Sequence, residues 1–445
     1  MKKYRRILIA IPIILIVLVV IPFLIPMSSY IAKAEQAASD ALGVPVKIGG
    51  LRVALLPTPR LNVSDVVVGK DEDFTVEDVA VVPAIFSLFS DVKTISSLKV
   101  KRPVIKKSAL EIISALGKGD EPASEPASVT IREISISKAR LVWPDMELPE
   151  LNVDILMTPE NKPESAQIAT VDNKVKIDLI PEEGRQLITM TARGWTLPVG
   201  VPLLIDKLDS EMVLVDSRLD IQKLDIELYE GKVSTNAVLS WQKNWELNGK
   251  LNVAGVEVAK PVSMVSKSTQ LSGKLSGDGS YKASAKEPAK LMDQLYANFR
   301  FKVLNGVLDG VDLAKAATLL GSKGGMEGQT RFDTLTGVLN VAGKQYHLRN
   351  LDIVSGLLKA SGDVKIKPNK ELDGEVKVEV KKGATLAAIP LQVSGTTEKP
   401  MVFPTKAAMA GAAAGTAILG PGVGTSLGIQ AADKIKGLFG SDKDE

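Results

Sequence analysis

Covalent chemistry at neutral pH calls for a nucleophile with a base, or for a metal, and this chain carries few side chains that serve. It has one histidine and no cysteine in 445 residues. His347 lies in a strand-like run between Tyr346 and Leu348. A Ser-His-Asp triad would have to pass through that residue, a Cys-His pair is impossible, and zinc sites of the usual kind lack ligands. No GxSxG elbow precedes a helix. Gly422, Gly424 and Gly428 have the wrong last spacing for a dinucleotide fingerprint and follow an Ala/Gly tail instead of a strand. The stretch from Gly337 to Lys344 misses the P-loop spacing by one residue and continues with Gln345, where Ser or Thr is needed. Carboxylates are plentiful and a glycosidase-type pair can hide among them, but most fall on the polar side of alternating strands, where solvation explains them. His347 therefore reads as a sheet residue. The chain reads as a non-enzyme with no cofactor and no metal.

The elements that would position any functional side chain are mostly strands. Apolar residues make up 45% of the chain but aromatics only 4%, so the apolar mass is Val, Ile, Leu and Ala, types that suit a pleated surface. Alternating runs recur at Arg60 to Val68, Val76 to Val82, Ile95 to Ile105, Val129 to Val142, Leu151 to Met157, Lys174 to Ile180 and Leu187 to Ala192. They resume at Met212 to Tyr229, Lys232 to Trp241, Trp245 to Val253, Phe299 to Leu308, Phe332 to Val341, Gln345 to Val354, Leu357 to Ile366 and Glu371 to Val380. Between Ile221 and Leu224 the phase slips by one, which calls for a bulge. Short helical patterns fall at Ala84 to Phe89, Ser108 to Leu116, Val262 to Lys267, Pro288 to Tyr296 and Leu313 to Leu320. The expected fold class is mainly β: an elongated, twisted antiparallel sheet with few helices. So few helices cannot cover every apolar strand face, so either two sheets pack together or one curved sheet leaves an apolar trough open.

In Glu371 to Val380 the residues Leu372, Val376, Val378 and Val380 point one way and the charged residues the other, and Val364 and Ile366 continue the apolar side on the preceding strand. These six are the candidate groove-lining residues.

The N-terminus places the chain at a membrane. Ile7 to Ile25 carries no charge and as a helix would extend roughly 28 Å, close to the ~30 Å hydrocarbon thickness of a bilayer. Ile7, Ile13, Leu15, Leu18, Ile21 and Ile25 are its anchor residues. Lys2, Lys3, Arg5 and Arg6 precede it, so the N-terminus is expected in the cytoplasm and everything after residue 30 outside. The rival reading, a signal peptide cleaved near Ala32-Lys33-Ala34, is disfavoured by the length of the apolar stretch. Ser28 to Leu42 has Ile31, Ala34, Ala38 and Leu42 at helical spacing and stops at Gly43 and Pro45, as a helical neck or a cap on the sheet. The run from 118 to 128 is a polar Pro/Ala/Ser linker. The expected divisions are thus 1–27, 28–117, 118–128, 129–404 and 405–445. In the last, Gly411, Gly415, Ile418 and Leu419 belong to an uncharged Ala/Gly segment that forms either a second membrane or partner contact or a packed or disordered low-complexity tail. Lys and Arg (55) nearly balance Asp and Glu (52), and no basic block with aromatics follows the N-terminus, which excludes nucleic acid as the partner. The absence of cysteine is compatible with an oxidising envelope compartment.

The wording from Ala41 to Val63 (ALGVPVKIGGLRVALLPTPRLNV), followed by Asp65 to Gly69, Val79 to Leu88, and Ile95 to Ile105 with Arg102-Pro103, resembles the N-terminal part of the AsmA family of bacterial envelope proteins. Gly306 to Leu313, Thr330 to Gly337, and Leu391 to Gly395 leading to Pro400 look like the family's closing repeats, and the middle, about Pro144 to Ser280, matches only in strand pattern. The resemblance implies anchoring in the bacterial inner membrane, a periplasmic body, and a kinship with bridge-like lipid transfer proteins whose curved sheets hold acyl chains. It implies phospholipid as cargo, movement toward the outer membrane, and a part in outer-membrane biogenesis. The alternative is a scaffold or assembly factor for outer-membrane proteins, with envelope proteins as partners; a hydrolase ranks third.

Overall fold

Helix-favouring Ala, Glu and Gln, closed by a glycine, set the first element. In the computed structural model, which describes residues 28–56, 58–109, 129–143, 147–198, 201–265, 270–318, 328–380, 388–419, 425–426 and 428–431, helix α1 is Ser28–Leu42. Gly43 ends it at φ +67°, and its N–H bonds Ser39 O at 2.9 Å, an arrangement that spares a side chain the left-handed penalty. The anchor residues from Ile7 to Ile25 and the linker at 118–128 lie outside the described residues, as does most of Ser108 to Leu116. Among the described residues no helix is long and apolar enough to cross a membrane.

The chain divides into two compact units, Met1–Gly200 and Val201–Glu445. The division does not fall at 118–128, because strands on either side of that linker pair directly with each other. In the first unit, β1 (Val46–Ala54), β2 (Arg60–Val68), β3 (Phe74–Pro83) and β4 (Lys93–Lys101) pair in sequence and antiparallel. The expected run Ile95 to Ile105 breaks at Arg102, whose φ is +45°, and resumes as β5 (Val104–Lys106). Likewise Val129 to Val142 splits into β6 (Val129–Ile131) and β7 (Glu133–Val142). β4 pairs with β6 and β7 in parallel, and so does β5 with β7. The sheet is thus mostly antiparallel, with this one parallel junction. A parallel partner needs a long return connection, about a dozen residues or more, and the linker region supplies it. β8 (Leu151–Met157), β9 (Pro163–Thr170), β10 (Val175–Glu182) and β11 (Arg185–Thr196) then continue antiparallel.

β1 is the edge strand at which this order begins, and α1 covers it. Glu35 Oε1 accepts from Ile48 N–H at 2.8 Å, and Ser39 Oγ accepts from Val46 N–H at 2.9 Å. Two outward N–H groups that would template another chain are thereby satisfied.

The second unit is an antiparallel meander. Its strands are β12 (Leu204–Val215), β13 (Arg218–Leu228), β14 (Gly231–Trp241), β15 (Trp245–Glu257), β16 (Gln270–Ala285), β17 (Tyr296–Asp309), β18 (Gln329–Ala342), β19 (Gln345–Val354), β20 (Leu358–Ile366), β21 (Leu372–Val380), β22 (Ala388–Gly395) and β23 (Pro400–Pro404). Each pairs with the next. The run Met212 to Tyr229 is a hairpin of two strands turning at Asp216 (φ +48°), and the bulge expected between Ile221 and Leu224 is present. Alternate connections lie along opposite margins of the sheet. Tight turns such as 242–244 and 343–344 mark one margin. Helices α2 (Ala259–Val265), α3 (Leu313–Thr318) and α4 (Lys406–Leu419) follow strands that end at the other.

Candidate functional site

Alternation along each strand becomes a surface only when neighbouring strands are in register. In the second unit they are, from one bulge to the next. A single cross-strand row runs Leu224, Thr235, Leu251, Gly279, Phe299, Leu339, Leu348 and Val364, from β13 to β20. A parallel row runs Ile221, Ala237, Gly249, Tyr281, Ala297, Val341, Tyr346 and Ile366. The bulges keep the rows in phase, because each extra residue restores the apolar side chains to the same face. The opposite face carries Asp225, Lys250, Asp278, Arg300 and Lys365, with ion pairs such as Arg300 to Asp278 at 2.7 Å and Lys232 to Asp225 at 3.0 Å.

Leu224, Leu251, Phe299, Leu339 and Leu348 are half-buried. The inner face of a closed sandwich would be sealed from water, so this stretch of sheet is open on its apolar side. Six strands, β13 to β18, cover roughly 24 Å at ~4.8 Å spacing, more than the ~15 Å of one leaflet's hydrocarbon.

Aromatic rings pave this face. A Cβ at Gly249 would lie 2.4 Å from Tyr281 Cζ, one at Gly277 2.7 Å from Phe299 Cζ, and one at Gly337 3.0 Å from Phe301 Cζ. Each ring lies over a glycine of a neighbouring strand, where any side chain would lift it. Tyr281 reaches across β15 to Thr235, with 2.8 Å between the hydroxyls, and Thr235 Oγ1 donates to Lys250 O at 2.7 Å. The polar end of the tyrosine is satisfied while its ring stays on the apolar side. β16, QLSGKLSGDGSYKASA, was not among the expected strands because its glycines and serines have poor strand propensity. The register gives the reason for that composition: small residues make room for the next strand's rings.

The six candidate groove residues share one face of β20 and β21, but not one environment. Val376 is 7% exposed and Val378 0%. They join a core with Leu313, Ala316 and Ala317 of α3, Ala408 and Ala412 of α4, Leu391 of β22, and Ile429. Val364, Leu372 and Val380 pack partly against that core, and Ile366 is half-buried. Val376 and Val378 therefore do not line an open trough as expected. α3 lies over β21 to β23, α4 contributes Ala408 and Ala412, and the same core takes in Val303 of β17, Phe332 and Leu335 of β18 and Ile353 of β19, so the apolar face is sealed along the helix-bearing margin from β17 to β23. Ile366, by contrast, continues an open row, and Val364, at the end of the other row, packs against the rim of the core. Alternation alone could not separate the two cases, since it fixes the face and not what covers it.

Gly411 is buried within α4, beside Ala408 and Ala412. Gly415, Ile418 and Leu419 lie in the same helix.

The polar face also has relief. A depression of about 920 Å³ is lined by Asn236, Asn248, Lys250, Lys282, Asn298 and Asn340 among others, and Asn298 Nδ2 donates to Asn340 Oδ1 at 2.6 Å. Val238, Tyr296 and Ala342 line it as well, so apolar and polar groups are mixed there. His347 sits on the polar face in register with Asn340 and Lys365. Burial, then Lys365, pushes its pKa below the ordinary value. Among the described residues no three His, Asp or Glu side chains come together as a metal would need.

The AsmA family model matches residues 1–141 and 198–343, well over half of the chain. The chain belongs to the AsmA family. The match takes in the N-terminal wording, the strands from β12 to β18 and all but the last two strands of the open rows, and includes most of the stretch between Pro144 and Ser280 that resembled the family only in pattern. It ends before Leu391 to Gly395 and before α4. No curated protein and no solved structure matches the chain.

Proposed function

We propose that this AsmA-family protein is a membrane-anchored carrier of phospholipid in the bacterial envelope, holding acyl chains along the open apolar face of its second unit on the way to the outer membrane. The observation that supports this reading is the pair of registered, mainly apolar rows from β13 to β20, largely half-buried and backed by a charged face. Burying a methylene is worth ~0.8 kcal/mol, so such a face retains an acyl chain without any specific polar contact, and the chain can slide because no position is preferred. The transfer breaks no covalent bond, and no residue is assigned a catalytic role.

The test is photo-crosslinking in cells. A photo-reactive residue at Leu251, or at Leu239 two residues along β14 from Ala237 on the same face, should capture phospholipid, whereas one at Val378 should crosslink within the chain to 313–318. Capture of an envelope protein and no lipid at Leu239 and Leu251 would move the protein to the scaffold reading. Intramolecular products alone at all three sites would show a closed interior and end the lipid reading.

A further inference from the structure

Two phenylalanines of the first unit stand almost wholly in solvent: Phe86 is 90% exposed and Phe89 89%. They belong to a 3-10 turn, Ile85–Phe89, joining β3 to β4. The turn is braced and does not hang loose. Ser87 Oγ donates to Ala84 O at 2.7 Å and accepts from Thr94 N–H at 2.8 Å, and Ala84 N–H bonds Thr94 O at 2.8 Å. With Ser87 tied inward, the flanking rings are held outward. Leu56 (47% exposed), Ile85 (48%), Val92 (40%) and Val129 (41%) stand near them. All lie on one margin of the sheet, because Ala54 pairs with Arg60, Pro83 with Ile95, and Lys93 with Val129. Large exposed apolar side chains gathered on one margin mark a surface that something else covers.

The path of α1 indicates the cover. Ser39 bonds Val46 and Glu35 bonds Ile48, so the helix runs back alongside β1 in the opposite sense. Four helical residues advance ~6 Å and two strand residues ~6.7 Å, so the two stay abreast. Continued to Ser28, the helix start reaches about the level of Leu51, toward the margin that carries Phe86 and Phe89. The uncharged stretch Ile7 to Ile25 is joined to the chain at that point.

We infer that this margin faces the bilayer that holds the N-terminal segment, and that Phe86 and Phe89 insert into its interfacial layer as a second, non-covalent attachment. The inference rests on the anchor reading of residues 7–25 and goes beyond it by fixing which margin of the first unit meets the lipid. Two attachments on one margin set the orientation of the unit at the membrane, which a single helix leaves free to swivel.

The chain has no cysteine, so single-cysteine labelling tests this directly. Full-length Phe86→Cys, Phe89→Cys, Val92→Cys, Asp71→Cys and Leu18→Cys, each carrying an environment-sensitive fluorophore, are reconstituted into phosphatidylethanolamine and phosphatidylglycerol vesicles. Asp71 lies in the turn on the far margin and serves as the aqueous reference. The expected result is a blue shift, loss of iodide quenching and gain of quenching by shallow spin-labelled phospholipid at 86, 89 and 92, with none of these at 71. The Val92 probe should lose its protection when F86S and F89S are combined with it, which rules out insertion driven by the dye. Probes at 86 and 89 as open to iodide as the one at 71 overturn the inference. If Leu18 is then quenched by deep spin labels, the anchor reading survives alone; if not, both fall. Protection at 86 and 89 without quenching at Leu18 keeps the membrane-facing margin and removes the anchor.

Discussion

Val378 and Lys377 are neighbours on β21 with opposite fates. Lys377 points to the charged face, whereas Val378 is enclosed by α3, α4 and β22. Val378→Asp puts an unpaired carboxylate into that core and should cost about 3–5 kcal/mol, on the scale of an uncompensated buried charge. Lys377→Asp should change stability by no more than ~1 kcal/mol. Urea denaturation of the two variants should separate them clearly, and equal midpoints would refute the sealed end of the face. His347 gives a second check at this scale. Its folded pKa is held below the ordinary 6.5, first by burial and then by Lys365. A histidine depressed in this way is favoured neutral in the fold, so its contribution is complete above the unfolded pKa and is lost as pH falls from there through the lower folded pKa. As the chain's only histidine it gives one imidazole titration by NMR. Its midpoint should lie below 6.5 and rise in Lys365→Gln.

At the scale of elements, the apolar face depends on glycines that accept an aromatic ring from the next strand. Gly249→Val should lift Tyr281, break its bond to Thr235 and cost about 1–3 kcal/mol, the usual range for overpacking. Tyr281→Phe should lose only the hydrogen bond, about 1 kcal/mol. If thermal melts rank the two the other way, the ring is not held by close packing on Gly249. The helices divide the labour differently. α1 satisfies an edge strand, while α3 and α4 seal part of the apolar face from β17 to β23. Truncation before Lys406 should therefore expose Val376, Val378 and Leu391, raise binding of a hydrophobic dye and make a probe at Val378 crosslink lipid. A truncated chain with unchanged dye binding would mean that α4 is not what closes this end.

At the scale of the molecule, much was legible in sequence order, because β-strands announce themselves by alternation and are paired here mainly with their neighbours. β2, β8 and α1 have the residues expected, and the Ile221 to Leu224 slip is a bulge. Local chemistry determined these: side-chain period, a glycine at a helix end, a run of aliphatic residues. Other features depend on residues far apart in the chain. The parallel junction of β4 with β6 and β7 follows from a connection whose composition says only that it is long and polar. The identity of β16 as a strand was hidden, since its glycines make sense only beside Phe299 and Phe301. Above all, one period of apolar residues produced both the open rows through Leu251 and the sealed core at Val378. Alternation determines which side of a strand avoids water. What meets that side, whether a helix such as α3, solvent or a lipid chain, is settled by where remote segments fold, because burial is a property of neighbours in space.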